Sequence, residues 1–141
     1  MGLFKKKCKE NKFIFSVDNL DVFTKDFVNA KLDGVMTLRL IEKKDITIEK
    51  MDDYLYDTSL LRITPKMYEK ALKLQQNDIM QIRILAGVML ESSLKELIGT
   101  YDFKYFNKNK GDVTRKALRK VQNFANNEGV IVDYVIQNVV H

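Results

Sequence analysis

The chain is poor in the residues that build most active sites. It has one cysteine, Cys8, one histidine, His141, one proline and six glycines in 141 residues. A single cysteine excludes an internal disulfide, so the fold needs no oxidising compartment, which fits a cytoplasmic protein. A zinc site takes three or four Cys or His ligands, and two such residues in the whole chain leave no metal site of that kind. His141 is the last residue, so a Ser-His-Asp or Cys-His arrangement would rest on a terminus that frays. Neither GxxxxGK[ST] nor GxGxxG occurs, and six glycines leave little for a phosphate cradle. Asp52 and Asp53 are adjacent and diverge on either a strand or a helix, so they read as solvated. With no constellation assembled, the expectation is a protein that is not an enzyme, with no cofactor, no catalytic residues, no metal and no small-molecule substrate.

Long apolar runs are also missing. Behind the basic start, the stretch from Phe13 to Val17 is shorter than the roughly 7 to 15 residues of a secretory core. The run IMQIRILAGVML is interrupted by Gln81 and Arg83, and a spanning helix takes about 20 apolar residues. Nothing in the sequence reads as crossing a membrane.

What the chain does have is a 45% hydrophobic and 30% charged composition, that of a folded globular domain. Its net charge of +5 is unevenly spread. Residues 1–12 hold five lysines against Glu10, and residues 104–120 hold seven cations against Asp112, leaving the remainder mildly acidic. Two basic segments on an acidic body point to an anionic surface met at particular places. The division suggests a basic flexible segment over 1–12 and one α+β domain over 13–141.

Secondary structure follows from periodicity. In VFTKDFVNAKLDGVMTLRLIEKKDITI the apolar positions alternate, with breaks at TKD and EKKD, which predicts two or three antiparallel strands. Thr64 and Pro65 open a helix as N-cap and first residue. A longer helix follows, broken near Asn77, with Ile79, Ile82, Ala86, Met89, Ser93 and Leu97 as its stripe and Gly99 as C-cap. Gly111 and Asp112 open a last helix, which Gly129 closes in the left-handed conformation. At 100° per residue, Arg115, Lys116, Arg119 and Lys120 cover about 0 to 140° of that helix, while Val113, Ala117, Val121, Phe124 and Ala125 fill the other side. A terminal strand then alternates Val130, Val132, Tyr134 and Ile136 with Ile131, Asp133, Val135 and Gln137, so half of it is expected to be buried. The expected fold is a small antiparallel sheet from the N-terminal half, packed with three helices and closed by a C-terminal strand.

Two basic elements are therefore candidate contact sites. Leu3, Phe4, Lys5, Lys6, Lys7, Cys8 and Lys9 would hold an anionic leaflet, with Cys8 open to acylation. Lysine stands at residue 6, where the myristoylation pattern wants Ser or Thr, which argues against acylation at Gly2. The face of Arg115, Lys116, Arg119 and Lys120 would meet phosphates. Nucleic acid is the less favoured target, because the aromatics of YDFKYF sit at core or turn spacing and neither a GxxG loop nor an RRM signature is present.

The segment LAGVMLESSLKELIGTYDFKYFNKNKGDVTRKALRKVQNFANNEGVIVDYVIQNV resembles the carboxyl half of the stomatin, prohibitin and flotillin (SPFH, band 7) domain. Leu94, Leu97, Ile98 and Gly99 match the family's helix-ending turn, Phe103 and Phe106 its following segment, and Gly129, Val130, Val132, Val135 and Ile136 its last strand. VFTKDFVNAKLDGVMTLRLIEKKD is similar to its early strands. The resemblance implies a non-enzymatic, membrane-associated scaffold that packs side by side with like domains, often around membrane proteases, here peripheral on the inner face of a membrane. The family's amino-terminal hydrophobic anchor is replaced at most by GLFKKKCK, and the sequence stops where its coiled coil would begin. The alternatives are a small basic nucleic-acid-binding protein and a phage structural or assembly protein.

Overall fold

A computed structural model describes residues 11–47 and 62–141. The order is β1 (Lys12–Phe23), β2 (Asn29–Leu40), a 3-10 turn (Lys43–Asp45), α1 (Pro65–Leu72), α2 (Gln76–Ile98), α3 (Phe103–Lys108), α4 (Lys110–Asn127) and β3 (Val130–Val140). The strands form one antiparallel sheet in the order β1-β2-β3. The fold is α+β, as the alternating and helical periods predict, with the C-terminal strand joining the sheet.

The two expected strand breaks are real and different in kind. TKD lies in the β1–β2 turn, where Thr24 receives the N-H of Val28 on its hydroxyl at 3.1 Å. EKKD contains the 3-10 turn, where Arg39 grips Asp45 through Nη1 to Oδ2 at 2.8 Å and Nη2 to Oδ1 at 3.1 Å. β1 begins at Lys12, one residue inside the segment expected to be a flexible tail.

One sheet face carries Leu20, Val22, Ala30, Leu32, Met36, Leu38, Val130, Val132 and Tyr134, all buried. The other is mixed and open, with Ile14 and Val135 exposed among charged neighbours, as antiparallel sheets permit. α2 packs over β1 and α4 over β3, and the two helices lie side by side as a single layer. Burying each aliphatic side chain of that layer is worth about 1.5 to 3 kcal/mol.

Two expectations about the helices need correction. Among the described residues there are four helices rather than three, because α3 has only six residues and buries one side chain, Phe106, too few for a period to show. The core stripe of α2 is Ile79, Ile82, Ala86, Leu90, Leu94 and Ile98. Met89, Ser93 and Leu97 are only half-buried, because steps of four residues rotate the buried line by about 40° each time. The break between α1 and α2 falls at Lys73 to Gln75, two residues short of Asn77, and there the Gln75 N-H bonds Asp78 Oδ2 at 2.9 Å.

The caps divide similarly. Thr64 does cap α1, accepting the N-H of Met67 at 3.2 Å, with Pro65 at the first position. Gly99 stands at the α2 C-cap with a helical φ of −62°. Gly129 takes φ +93°, the left-handed exit expected of it. α4 opens at Lys110, and Asp112 turns away from the free N-H groups toward cations one turn on.

Candidate functional site on the helical layer

Helix α4 presents the expected amphipathic face. Val113, Ala117, Leu118, Val121 and Ala125 are buried, and Arg115, Lys116, Arg119 and Lys120 are exposed on the opposite side. Asp112 engages two of the four, Arg115 Nη2 at 3.3 Å and Lys116 Nζ at 3.4 Å. Its carboxyl is held below the usual range chiefly by Lys116, with Arg115 adding to it, and Asp112 in turn raises Lys116. Among the described residues, Arg119 and Lys120 have no ion pair, so the centre of this face keeps its full positive charge.

The same layer carries a second surface that sequence reasoning missed. Met80, Ile84, Leu85 and Val88 of α2 are 45%, 62%, 52% and 63% exposed. They come from IMQIRILAGVML, whose residues are apolar nearly all round the helix. Such a helix asks for cover on two sides, and the sheet and α4 supply one. The apolar strip lies on the first half of α2 and the cations sit beside its last turns, so the two patches share one layer in which α2 and α4 are neighbours. Between them is a cleft of about 180 Å³ that includes Ser93, Glu96, Lys116 and Lys120, smaller than the roughly 300 Å³ at which ligand pockets begin.

The remaining expected site residues fall elsewhere. Leu3, Phe4, Lys5, Lys6, Lys7, Cys8 and Lys9 lie outside the described residues, as do Asp52 and Asp53. Lys12, the last lysine of the basic segment, pairs with Arg39 at the end of the sheet where α4 finishes, whereas Arg115 and Lys116 lie toward the start of α4. His141 rests on the Phe103 ring, centroids 4.4 Å apart, and is exposed. Among the described residues, no group of three or more His, Cys, Asp or Glu is placed to hold a metal ion.

A second unpredicted feature is the β1–β2 turn. Phe27 is 86% exposed and sits at φ +63°, a conformation costly for a bulky residue. The turn is pinned to the α2–α3 connection by Lys25 N-H to Tyr101 O at 2.8 Å and Phe103 N-H to Asp26 Oδ1 at 3.0 Å. The Thr24 hydroxyl holds the Asp26 carboxyl below its ordinary value.

No helix among the described residues is long and apolar enough to cross a membrane. No protein-family model matches the chain, and no curated protein matches it.

Proposed function

We propose that this protein is a non-enzymatic scaffold or assembly module that lies against an anionic bilayer through the outer surface of its helical layer. The observation that carries the reading is that one helical layer exposes both Ile84, Leu85 and Val88 on α2 and Arg115, Lys116, Arg119 and Lys120 on α4. Each cation close to an anionic leaflet is worth about 1 kcal/mol, and apolar side chains entering the headgroup region add about 25 cal/mol per Å² buried. Together these suffice for reversible peripheral attachment without a spanning segment. Lateral packing with stomatin-, prohibitin- or flotillin-type domains, and through them influence on a membrane protease complex, belongs to the same reading and rests on the resemblance described above.

Vesicle flotation tests it. Vesicles rich in phosphatidylserine carry the protein upward, neutral phosphatidylcholine vesicles do not, and Arg119→Glu with Lys120→Glu abolishes the difference. Ile84→Gln with Val88→Gln weakens binding at every salt concentration. Equal flotation of all variants defeats the proposal. Neutralising Lys5, Lys6, Lys7 and Lys9 separately measures the share of the tail. The second reading, nucleic acid, uses the same four cations but leaves Ile84 and Val88 without a role. Salt-dependent retention of RNA or DNA on a filter, lost in the charge-reversed variant and unaffected by the Gln substitutions, would favour it.

A further inference from the structure

The sheet has two edges, and they are treated differently. On β3, the groups facing away from β2 belong to even-numbered residues, because Ile41 N-H donates to Gly129 O and the antiparallel alternation then makes Thr37 with Asp133 and Val35 with Val135 the bonded partners. The Gln122 side chain, from α4, pairs with both the N-H and the C=O of Val132. The Tyr134 N-H is taken by Asp133 Oδ1 at 2.9 Å. The first half of that edge is thus closed to another strand.

β1 has no such cover among the described residues. Leu40 N-H donates to Asn11 O at 2.7 Å, so the odd residues of β1 bond to β2, and Lys12, Ile14 and Ser16 point their backbone groups outward. No described side chain or strand bonds to them. The inner face of this stretch carries Phe13, Phe15 and Val17, each only partly buried against the core. Arg83 roofs Phe15, its guanidinium 4.1 Å from the ring centroid. The stretch ends at the bulge of Asp18 and Asn19, where Asn19 takes φ +57° and the pairing register shifts.

An unpaired edge of this kind accepts a strand, and the sequence of β1 suits its own copy. We infer that two copies of this protein pair their β1 strands antiparallel about a two-fold axis centred on Phe15, Lys12 of each opposite Asp18 of the other. In that register Ile14 and Ser16 exchange backbone hydrogen bonds, and both belong to the outward-facing set. Phe13, Phe15 and Val17 of the two copies form one row on the inner face. Lys12 and Asp18, neither of which has an ion partner among the described residues, become two symmetric opposite-charge pairs, the kind that stabilises cross-strand neighbours. A two-fold axis perpendicular to the sheet also leaves both helical layers on the same side. The inference does not depend on what that side contacts.

A strand pair buries less than the roughly 800 Å² per partner of a standard interface, so the expected association is reversible, on the order of micromolar. Sedimentation velocity from low to high micromolar protein then shows a monomer–dimer equilibrium. Ser16→Pro removes an outward N-H that the monomer leaves unpaired, a position where a strand tolerates proline. It abolishes the dimer while the circular dichroism spectrum stays native. Lys12→Asp alone and Asp18→Lys alone each weaken the dimer several-fold, and the two together restore it. A monomer at every concentration overturns the proposal, as does a dimer indifferent to Ser16→Pro or a charge swap that fails to rescue. Vesicle flotation of the Arg119→Glu, Lys120→Glu protein leaves β1 untouched, so failure of the bilayer reading is separable from failure of this one.

Discussion

The ring of Tyr134 occupies the space that a β-carbon on Gly34 would take. The two residues lie on neighbouring strands, and the bulge between Asp33 and Gly34 sets their offset. Gly34→Ala must displace a ring that is 2% exposed, at a cost of about 1 to 3 kcal/mol. Urea unfolding measures the loss. Adding Tyr134→Leu makes room for the new methyl group, so the double variant loses less than the sum of the two singles.

The Tyr134 hydroxyl is buried with no hydrogen-bond partner among the described residues, and burial pushes its pKa up to about 12, with Asp18 and Asp33 adding to the shift. The unfolded chain releases that proton near 10.0, the folded one later. Stability from this group is therefore complete below pH 10 and falls as the pH rises from 10 toward 12. Tyr134→Phe is neutral or slightly stabilising at pH 7, since it removes an unsatisfied polar group. Melting curves from pH 8 to 12 show the variant losing less stability than the parent over the upper part of that range.

Asp45 joins Arg39 at 2.8 Å and also accepts the Glu42 N-H at 2.8 Å. The Arg39 hydrogen bond, reinforced by that backbone donor, holds its carboxyl below the ordinary 3.8. A depressed carboxylate contributes stability that is present above its unfolded pKa and is lost as the pH falls through the folded one. Asp45→Asn lowers stability at pH 7 by about 1 to 2 kcal/mol and flattens the acid limb of a stability–pH curve below about pH 4.

Gly129 joins three elements: it follows the Glu128 C-cap of α4, leads directly into β3, and its carbonyl accepts the N-H of Ile41, just past β2, at 3.0 Å. A β-carbon there would stand 2.7 Å from Ala71 N and 2.8 Å from its Cα, in a left-handed backbone. Gly129→Ala costs about 2 to 4 kcal/mol, through strain and through pushing α1 off the small cluster of Ile41, Ile63 and Ala71. Thermal unfolding gives the magnitude, and earlier proteolysis within α1 than elsewhere marks the place.

Gln122 guards a strand edge more than it holds the fold. Its loss in Gln122→Ala costs only about 1 kcal/mol but exposes the Val132 backbone between β-branched neighbours. Light scattering at constant protein concentration shows faster aggregation of the variant, while its melting temperature falls by only about 3 °C.

The parts legible in the sequence were those where one period ran long enough to be read. The even–odd alternation from Ala30 to Leu40, the amphipathic split of α4 and the glycine at 129 carried directly into strand, helix and exit. The Thr64 and Pro65 pair located a helix start to the residue. What could not be read depended on neighbours. The stripe of α2 was misassigned because nearly every position is apolar, so only packing against the sheet and α4 decides that Leu90 is inside and Val88 outside. For the same reason the exposed strip on α2 was invisible, although the basic face of α4 was plain. Asp112 was read as a cap because it stands beside Gly111 at a helix start, but Lys116 one turn later offers a stronger partner.

β2 lies in the middle of the sheet, yet its two neighbours arrive at very different times. β1 precedes it across a short turn, while Leu40 finds Val130 and Lys31 finds Val140 only from the far end of the described chain. A lone two-stranded ribbon is marginal in water. During synthesis, then, β2 keeps its second side bare until residues 130–140 have left the ribosome, a nascent-chain vulnerability that slow, non-local closure prolongs.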